Sequence, residues 1–259
     1  MELSDENLNP IVTYRPLGGY SFYSVDSHKD NLVIASGTAP NLHLAILDKR
    51  TGSYKAEKNL SLLGFSVSQV FAFEKFIIVY EGGNSVNSDY INKIICYDLN
   101  LNQLWIKQAL MAQDSQGAQC LSNADQSKFF YTTAFLNSAK EVAFKIICID
   151  SGTGRDLWNY DVLDYVESNK NLSGYKHLGF YVTGFDYVPQ KKSLVVVASS
   201  LFKSNESPLK NEYKNWKLII INGLGKAEES VASGSGRPFL LKKDNKIAVV
   251  GKEKTNSYE

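Results

Sequence analysis

Cysteine and histidine are scarce, with three of each in 259 residues. Cys96, Cys120 and Cys148 are odd in number, widely spaced and free of any CxxC pair. That excludes a disulfide framework and a cysteine zinc site, and leaves free buried thiols. His28, His43 and His177 lie far apart with no metal-ligand spacing, and read as solvated loop residues. Neither sign of charge is in excess: 28 basic residues face 27 acidic ones, so bulk electrostatics calls for neither nucleic acid nor an anionic membrane. No run approaches the roughly 20 apolar residues of a membrane span. The opening MELSDENLNPIV lacks the basic and apolar regions of a secretory signal, and read as a natural start it implies a cytoplasmic protein. GxSxG, HExxH, P-loop, GxGxxG and Asp-x-Asp calcium patterns are all missing, and the glycine turn GSGR opens no helix. No catalytic residue, cofactor or metal ligand is therefore assigned.

What the chain does contain is repetition. KIICYDLNLNQLW (93–105) and KIICIDSGTGRDLW (145–158) share a basic residue, two Ile, Cys, an apolar residue, Asp, a turn and Leu-Trp. The second turn is one residue longer. HLAILDKRTGSYKA (43–56) repeats the Asp and the Thr-Gly, with Ala56 in the Trp place, and KLIIINGLGKAEES (217–230) is a weaker copy with Asn222 in the Asp place. The anchors Asp48, Asp98, Asp150 and Asn222 are separated by 50, 52 and 72 residues. A second series of short runs precedes them (DNLVIASG, EKFIIVYEGG, SKFFYTTAF, KSLVVVASS, and DNKIAVVGK near the C-terminus), and a third, looser series precedes those.

The runs are short, rich in Val, Ile, Phe and Tyr, and bounded by Gly, Asn, Asp and Ser, which predicts strands. FIIVY, LVVVA and LIII are apolar without alternation, which suits strands covered on both faces. Gly52 and Gly154 supply the positive φ of a tight turn, the preceding Asp accepts turn amides, and Trp105 and Trp158 suit a seam between units. Four-strand units of about 50 residues imply an all-β fold, a β-propeller of antiparallel blades. The predicted blades are 19–60, 61–113, 114–162, 178–232 and 233–259, in one domain over 1–259. Residues 10–16 (PIVTYRP) would complete the last blade and close a five-blade ring, or the ring is incomplete. In LWIKQALMAQ (104–113) a strand running into a loop is expected, with an amphipathic helix as the alternative. The segments 161–179 and 200–216 read as polar insertions outside the repeating core.

Asp-x-x-Thr-Gly-x-x-x-Trp after an apolar strand resembles the repeat of the quinoprotein-like (PQQ-like) propellers. The motif is whole at Asp150, Thr153, Gly154 and Trp158, and partial at Asp98/Trp105 and Asp48/Thr51/Gly52. Kelch and WD-type propellers fit less well. The resemblance implies enzymes that hold pyrroloquinoline quinone and calcium with an adjacent Cys pair, or non-catalytic scaffolds. This chain has no adjacent Cys pair and about half the length such enzymes need, so the resemblance implies the non-enzymatic type, without cofactor. The expected partner is a protein, neither nucleic acid nor an inserted membrane, and the oligomeric state stays open. Loop tyrosines favour interfaces. They place the candidate partner face at Tyr90, Tyr165, Tyr175, His177 and Tyr213, on loops at 81–91, 134–144, 161–179 and 200–216. The alternative is a hydrolase or lyase with its site at the channel mouth.

Overall fold

The computed structural model describes residues 2–4, 10–14, 21–38, 40–61, 66–82, 85–86, 89–111, 120–136, 142–162, 174–205, 211–234, 239–243, 246–250 and 255–258. Those residues contain no α-helix. Two compact units divide the chain: unit 1 is Met1–Ala118 with the turn Ser151–Gly154, and unit 2 is Gln119–Asp150 with Arg155–Glu259.

Unit 1 opens with a two-stranded sheet of β1 (Glu2–Ser4) and β2 (Pro10–Thr13). A four-stranded antiparallel meander follows: β3 (Ser21–His28), β4 (Asn31–Thr38), β5 (Asn41–Asp48) and β6 (Tyr54–Ser61). The next sheet is β7 (Ser66–Ala72), β8 (Phe76–Gly82), β10 (Asp89–Asp98) and β11 (Gln103–Met111), with β9 (Ser85–Val86) paired to β10. In unit 2, β12 (Cys120–Ser122), β13 (Lys128–Leu136), β14 (Val142–Asp150) and β15 (Asp156–Asp161) form one meander. A second is built by β16 (Tyr175–Val188), β17 (Ser193–Ser204), β18 (Asn211–Ile221) and β19 (Ala227–Gly234). One parallel bridge, Val142 to Gly179, joins the two. The last sheet is β20 (Phe239–Lys243), β21 (Lys246–Val250) and β22 (Thr255–Tyr258).

Several expectations are corrected here. Residues 10–13 pair with β1, and the third strand of the last sheet comes from Thr255–Tyr258. The strand expected at 104–111 is present and the helix alternative is not, since β11 pairs with Tyr90–Tyr97 of β10; residues 112 and 113 lie outside the described residues. The described parts of the supposed insertions include strand: β16 starts at Tyr175, β17 runs to Ser204 and β18 starts at Asn211, and Phe202 and Trp216 are fully buried, while 163–173 and 206–210 lie outside the described residues. Ladder hydrogen bonds come from the backbone, so these strands continue through Ser, Lys and Tyr beyond the apolar runs that mark them.

Each meander buries its inner strands on both faces. In β4, Val33 and Ala35 point into a cluster with Val70, Ile77 and Val79 of the next sheet, while Leu32 and Ile34 pack beneath Tyr14. The outer strand β6 is mostly exposed. Strand β7 is a sheet edge, and two of its amides find side-chain acceptors on β3: Val70 N–H donates to Ser24 Oγ (3.1 Å) and Ala72 N–H to Asp26 Oδ2 (2.8 Å).

The hairpins between third and fourth strands share one register. Ile46 faces Ala56, Cys96 faces Trp105 and Cys148 faces Trp158, and a bulge follows each of these three pairs. The anchor closes the turn. Asp48 Oδ1 accepts the amides of Arg50 (2.9 Å) and Thr51 (3.0 Å), Asp98 Oδ1 those of Asn100 and Asn102, and Asn222 Oδ1 those of Leu224 and Lys226. Those amides, led by that of Thr51, and the Lys55 ammonium hold the Asp48 carboxyl down to about 2. Each indole lies on a later turn. Trp105 donates its N–H to the Ser151 carbonyl (2.7 Å), and a Cβ on Gly154 would stand 2.8 Å from its ring. Trp158 donates to the Gly223 carbonyl (3.2 Å), and a Cβ on Gly225 would stand 2.7 Å from its ring. Both glycines also have positive φ, 73° and 79°.

The first hairpin solves the same packing problem in reverse. Ala56 holds the tryptophan place, and the left-handed turn position of the next sheet is Leu101, with φ 62°. Its side chain is fully buried in the cluster against which Ala56 packs. Small and large have exchanged sides of the seam, so the two positions are coupled. Ala56→Trp alone should cost about 1–3 kcal/mol by overpacking, and Leu101→Gly alone about 2–5 kcal/mol by cavity formation. The double variant should recover part of both, with a coupling above about 0.5 kcal/mol in a urea-unfolding double-mutant cycle. Strictly additive costs would refute the exchange.

Candidate functional site

Three hairpin tips of unit 2 and one outer strand enclose a cleft of about 340 Å³. The β12–β13 turn contributes Asn123, Asp125, Ser127 and Lys128, the β16–β17 turn Pro189 and Lys192, and the β18–β19 turn Asn222 and Gly223. Phe130, Trp158, Tyr187, Leu194 and Ile221 line its apolar part. Phe130 is the hub: its ring centroid lies 5.9 Å from Trp158 and 5.8 Å from Tyr187. The indole N–H is held by the Gly223 carbonyl (3.2 Å), so this wall is positioned before any ligand arrives.

The polar rim is ordered by its own hydrogen bonds. Ser127 donates both its amide (3.0 Å) and its hydroxyl (2.6 Å) to Asp125 Oδ1. Asn123 Nδ2 donates to Ser127 Oγ (3.1 Å), and Asn123 Oδ1 accepts the Lys128 amide (2.8 Å). The Ser127 hydroxyl, before its amide, holds the Asp125 carboxyl below its ordinary range. Burial, and then the Asp125 charge, pushes the Tyr187 phenol up. Gln126 and Lys192 occupy left-handed positions of their turns, with φ 59° and 50°.

Sequence-predicted partner residues fall elsewhere. Tyr90, Tyr175 and Tyr213 lie on strands β10, β16 and β18, not on loops. Tyr165 lies outside the described residues. Tyr175 packs edge-on to Phe202 (6.4 Å), and His177, on the same strand, also meets Phe202 (5.1 Å). Tyr187 is 12 residues along β16 from Tyr175, about 40 Å at ~3.3 Å per residue. The cleft therefore sits at the short-turn end of these sheets, and Tyr175, His177 and Tyr213 toward the other.

A second polar group surrounds His43, which is buried where a solvent-facing loop position is expected. His43 is 3% exposed, between Leu42 and Leu44 on β5. Its Nδ1 is hydrogen-bonded to Tyr14 Oη (3.1 Å), which is bonded to Ser36 Oγ (2.8 Å), and its Nε2 meets Glu57 Oε2 (3.3 Å). The composition is that of a hydrolytic relay, yet Ser36 is fully buried and Tyr14 stands between it and His43. The group pins Tyr14 onto the first meander. Among the described residues no three His, Cys, Asp or Glu side chains gather to hold a metal. The adjacent Cys pair of the quinone enzymes has no counterpart, since Cys96, Cys120 and Cys148 stand on three strands. The donor set thus does not fit that cofactor.

No known protein-family profile matches the chain, and no curated protein matches it in sequence. Among solved structures it is similar to Pyrococcus horikoshii acylaminoacyl peptidase, with TM-score 0.54 at 12% identity over 92% of this chain and 38% of that one. It also resembles BamB from Moraxella catarrhalis (TM-score 0.42, 13% identity, 96% of this chain and 85% of that one). A third is the Dos1 propeller (TM-score 0.48, 11% identity, 99% of this chain and 72% of that one). At these identities the likeness is one of fold: the antiparallel meanders are β-propeller blades.

Two outcomes are expected. Tyr14→Phe should orphan the buried Ser36 hydroxyl and cost about 1–3 kcal/mol in urea unfolding; an unchanged midpoint would show that the group carries no stability. Burial pushes the Cys96 and Cys148 thiols up to about 12, whereas Cys120 is half-buried. A thiol reagent at pH 8 should therefore label Cys120 first, and the other two only on unfolding. Mass spectrometry of the labelled peptides reads the order.

Proposed function

We propose that this chain is a non-catalytic PQQ-like propeller that recognises a protein partner through the unit 2 cleft. One observation carries the reading. Leu224 is 76% exposed at the tip of the turn that supplies Asn222 and Gly223 to the cleft. Asn222 fixes that tip by accepting the Leu224 and Lys226 amides. A large aliphatic side chain held in water beside an aromatic cleft is the arrangement of a contact surface, whose centre is aromatic and whose rim is polar. Tips of short hairpins on a packed scaffold change shape little on binding, so the surface is ready-made.

The partner face expected at Tyr90, Tyr165, Tyr175, His177 and Tyr213 is the rival location, and one experiment separates them. A photo-crosslinking amino acid is placed at position 224 or at position 175 of the full chain, and adducts are resolved in cell extract. A discrete protein adduct from 224, absent from 175, is the expected result. Adducts from 175 alone would move the contact to the other end. No adduct from either would overturn the reading.

A further inference from the structure

Resting on that reading, we propose that the cleft takes an acidic segment of the partner carrying one aromatic anchor. The anchor would lie against Phe130, Trp158 and Tyr187, with flanking carboxylates at Lys128 and Lys192. Size limits the occupant first: about 340 Å³ is at the small end of ligand pockets, room for a single large side chain rather than a strand or helix. Shape limits it next. The stacked pair Phe130–Tyr187 (21° between planes) and the tilted Phe130–Trp158 pair (40°) present ring surface suited to another aromatic group.

Charge supplies the rest. Lys128 and Lys192 both line the cleft, and neither has an ion-pair partner among the described residues. The opposing carboxylate, Asp125, is turned to its own loop, where Oδ1 takes two hydrogen bonds from Ser127. Ammonium groups at the mouth of a partly desolvated apolar cleft favour carboxylates over amides, and bias encounter toward acidic partners.

The test uses the full chain and three acetylated, amidated pentapeptides: Glu-Asp-Phe-Asp-Glu, its Gln/Asn counterpart, and its Ala-centred counterpart. Trp158 reports binding, because it is half-buried whereas Trp105 is 8% exposed and Trp216 fully buried. The acidic Phe peptide should give a saturable fluorescence change that weakens with salt. Replacing Phe by Ala should weaken it about tenfold or more, and replacing the carboxylates about threefold or more. The double variant Lys128→Gln/Lys192→Asn should bind acidic and neutral Phe peptides alike; Asn suits the left-handed backbone at 192, and a melting curve checks folding. Equal binding of acidic and neutral peptides to the parent chain would overturn the charge preference. No binding of any peptide, with the crosslink at 224 still forming, would overturn this proposal while leaving the partner reading intact. Failure of both would remove the two together.

Discussion

The indole of an outer strand lying on the backbone of a later turn is the contact on which the architecture depends. A β-meander of four strands is narrow, and its inner strands are apolar on both faces, so no meander here is stable unless something covers each side. The hydrophobic clusters supply the bulk of that cover but have no direction. The indole N–H to a named carbonyl, and the ring against a glycine that admits it, fix which turn meets which strand. Non-directional burial gives cohesion, and a directional contact at the two indole seams gives register.

The same interaction prepares the candidate site. Trp158 is both the seam residue of its hairpin and a wall of the cleft, and Gly223, its hydrogen-bond acceptor, lines that cleft too. The cleft proposed for recognition is a by-product of how two meanders are joined within unit 2. That is why its aromatic groups pack on one another, and why its polar groups come from hairpin tips whose shapes are set by Asn123, Asp125 and Asn222.

The strands were legible because burial on both faces leaves unbroken apolar runs such as FIIVY and LVVVA. Their extent was not. The outer halves of β16, β17 and β18 are written in Ser, Lys, Asn and Tyr, which composition reads as loop while the ladder simply continues. His43 was missed because a polar residue between two leucines gives no hint that Tyr14, from outside its sheet, and Glu57, on the neighbouring strand, will meet its two ring nitrogens. The cleft was illegible for a deeper reason. Its members come from four separated stretches, 123–130, 158, 187–194 and 221–223, and the repeat aligns these stretches without showing which side chains of different units converge.

The reversed seam at Ala56 and Leu101 bears on how such a chain can diverge. A bulky ring gained at one residue demands loss of a side chain at a residue 45 positions away, so neither substitution is neutral by itself. Drift through single-substitution intermediates is costly, which favours changes of the pair together. Kindred chains are thus expected to fall into two sets, with Trp and Gly or with Ala and Leu at these positions, and few hybrids between them.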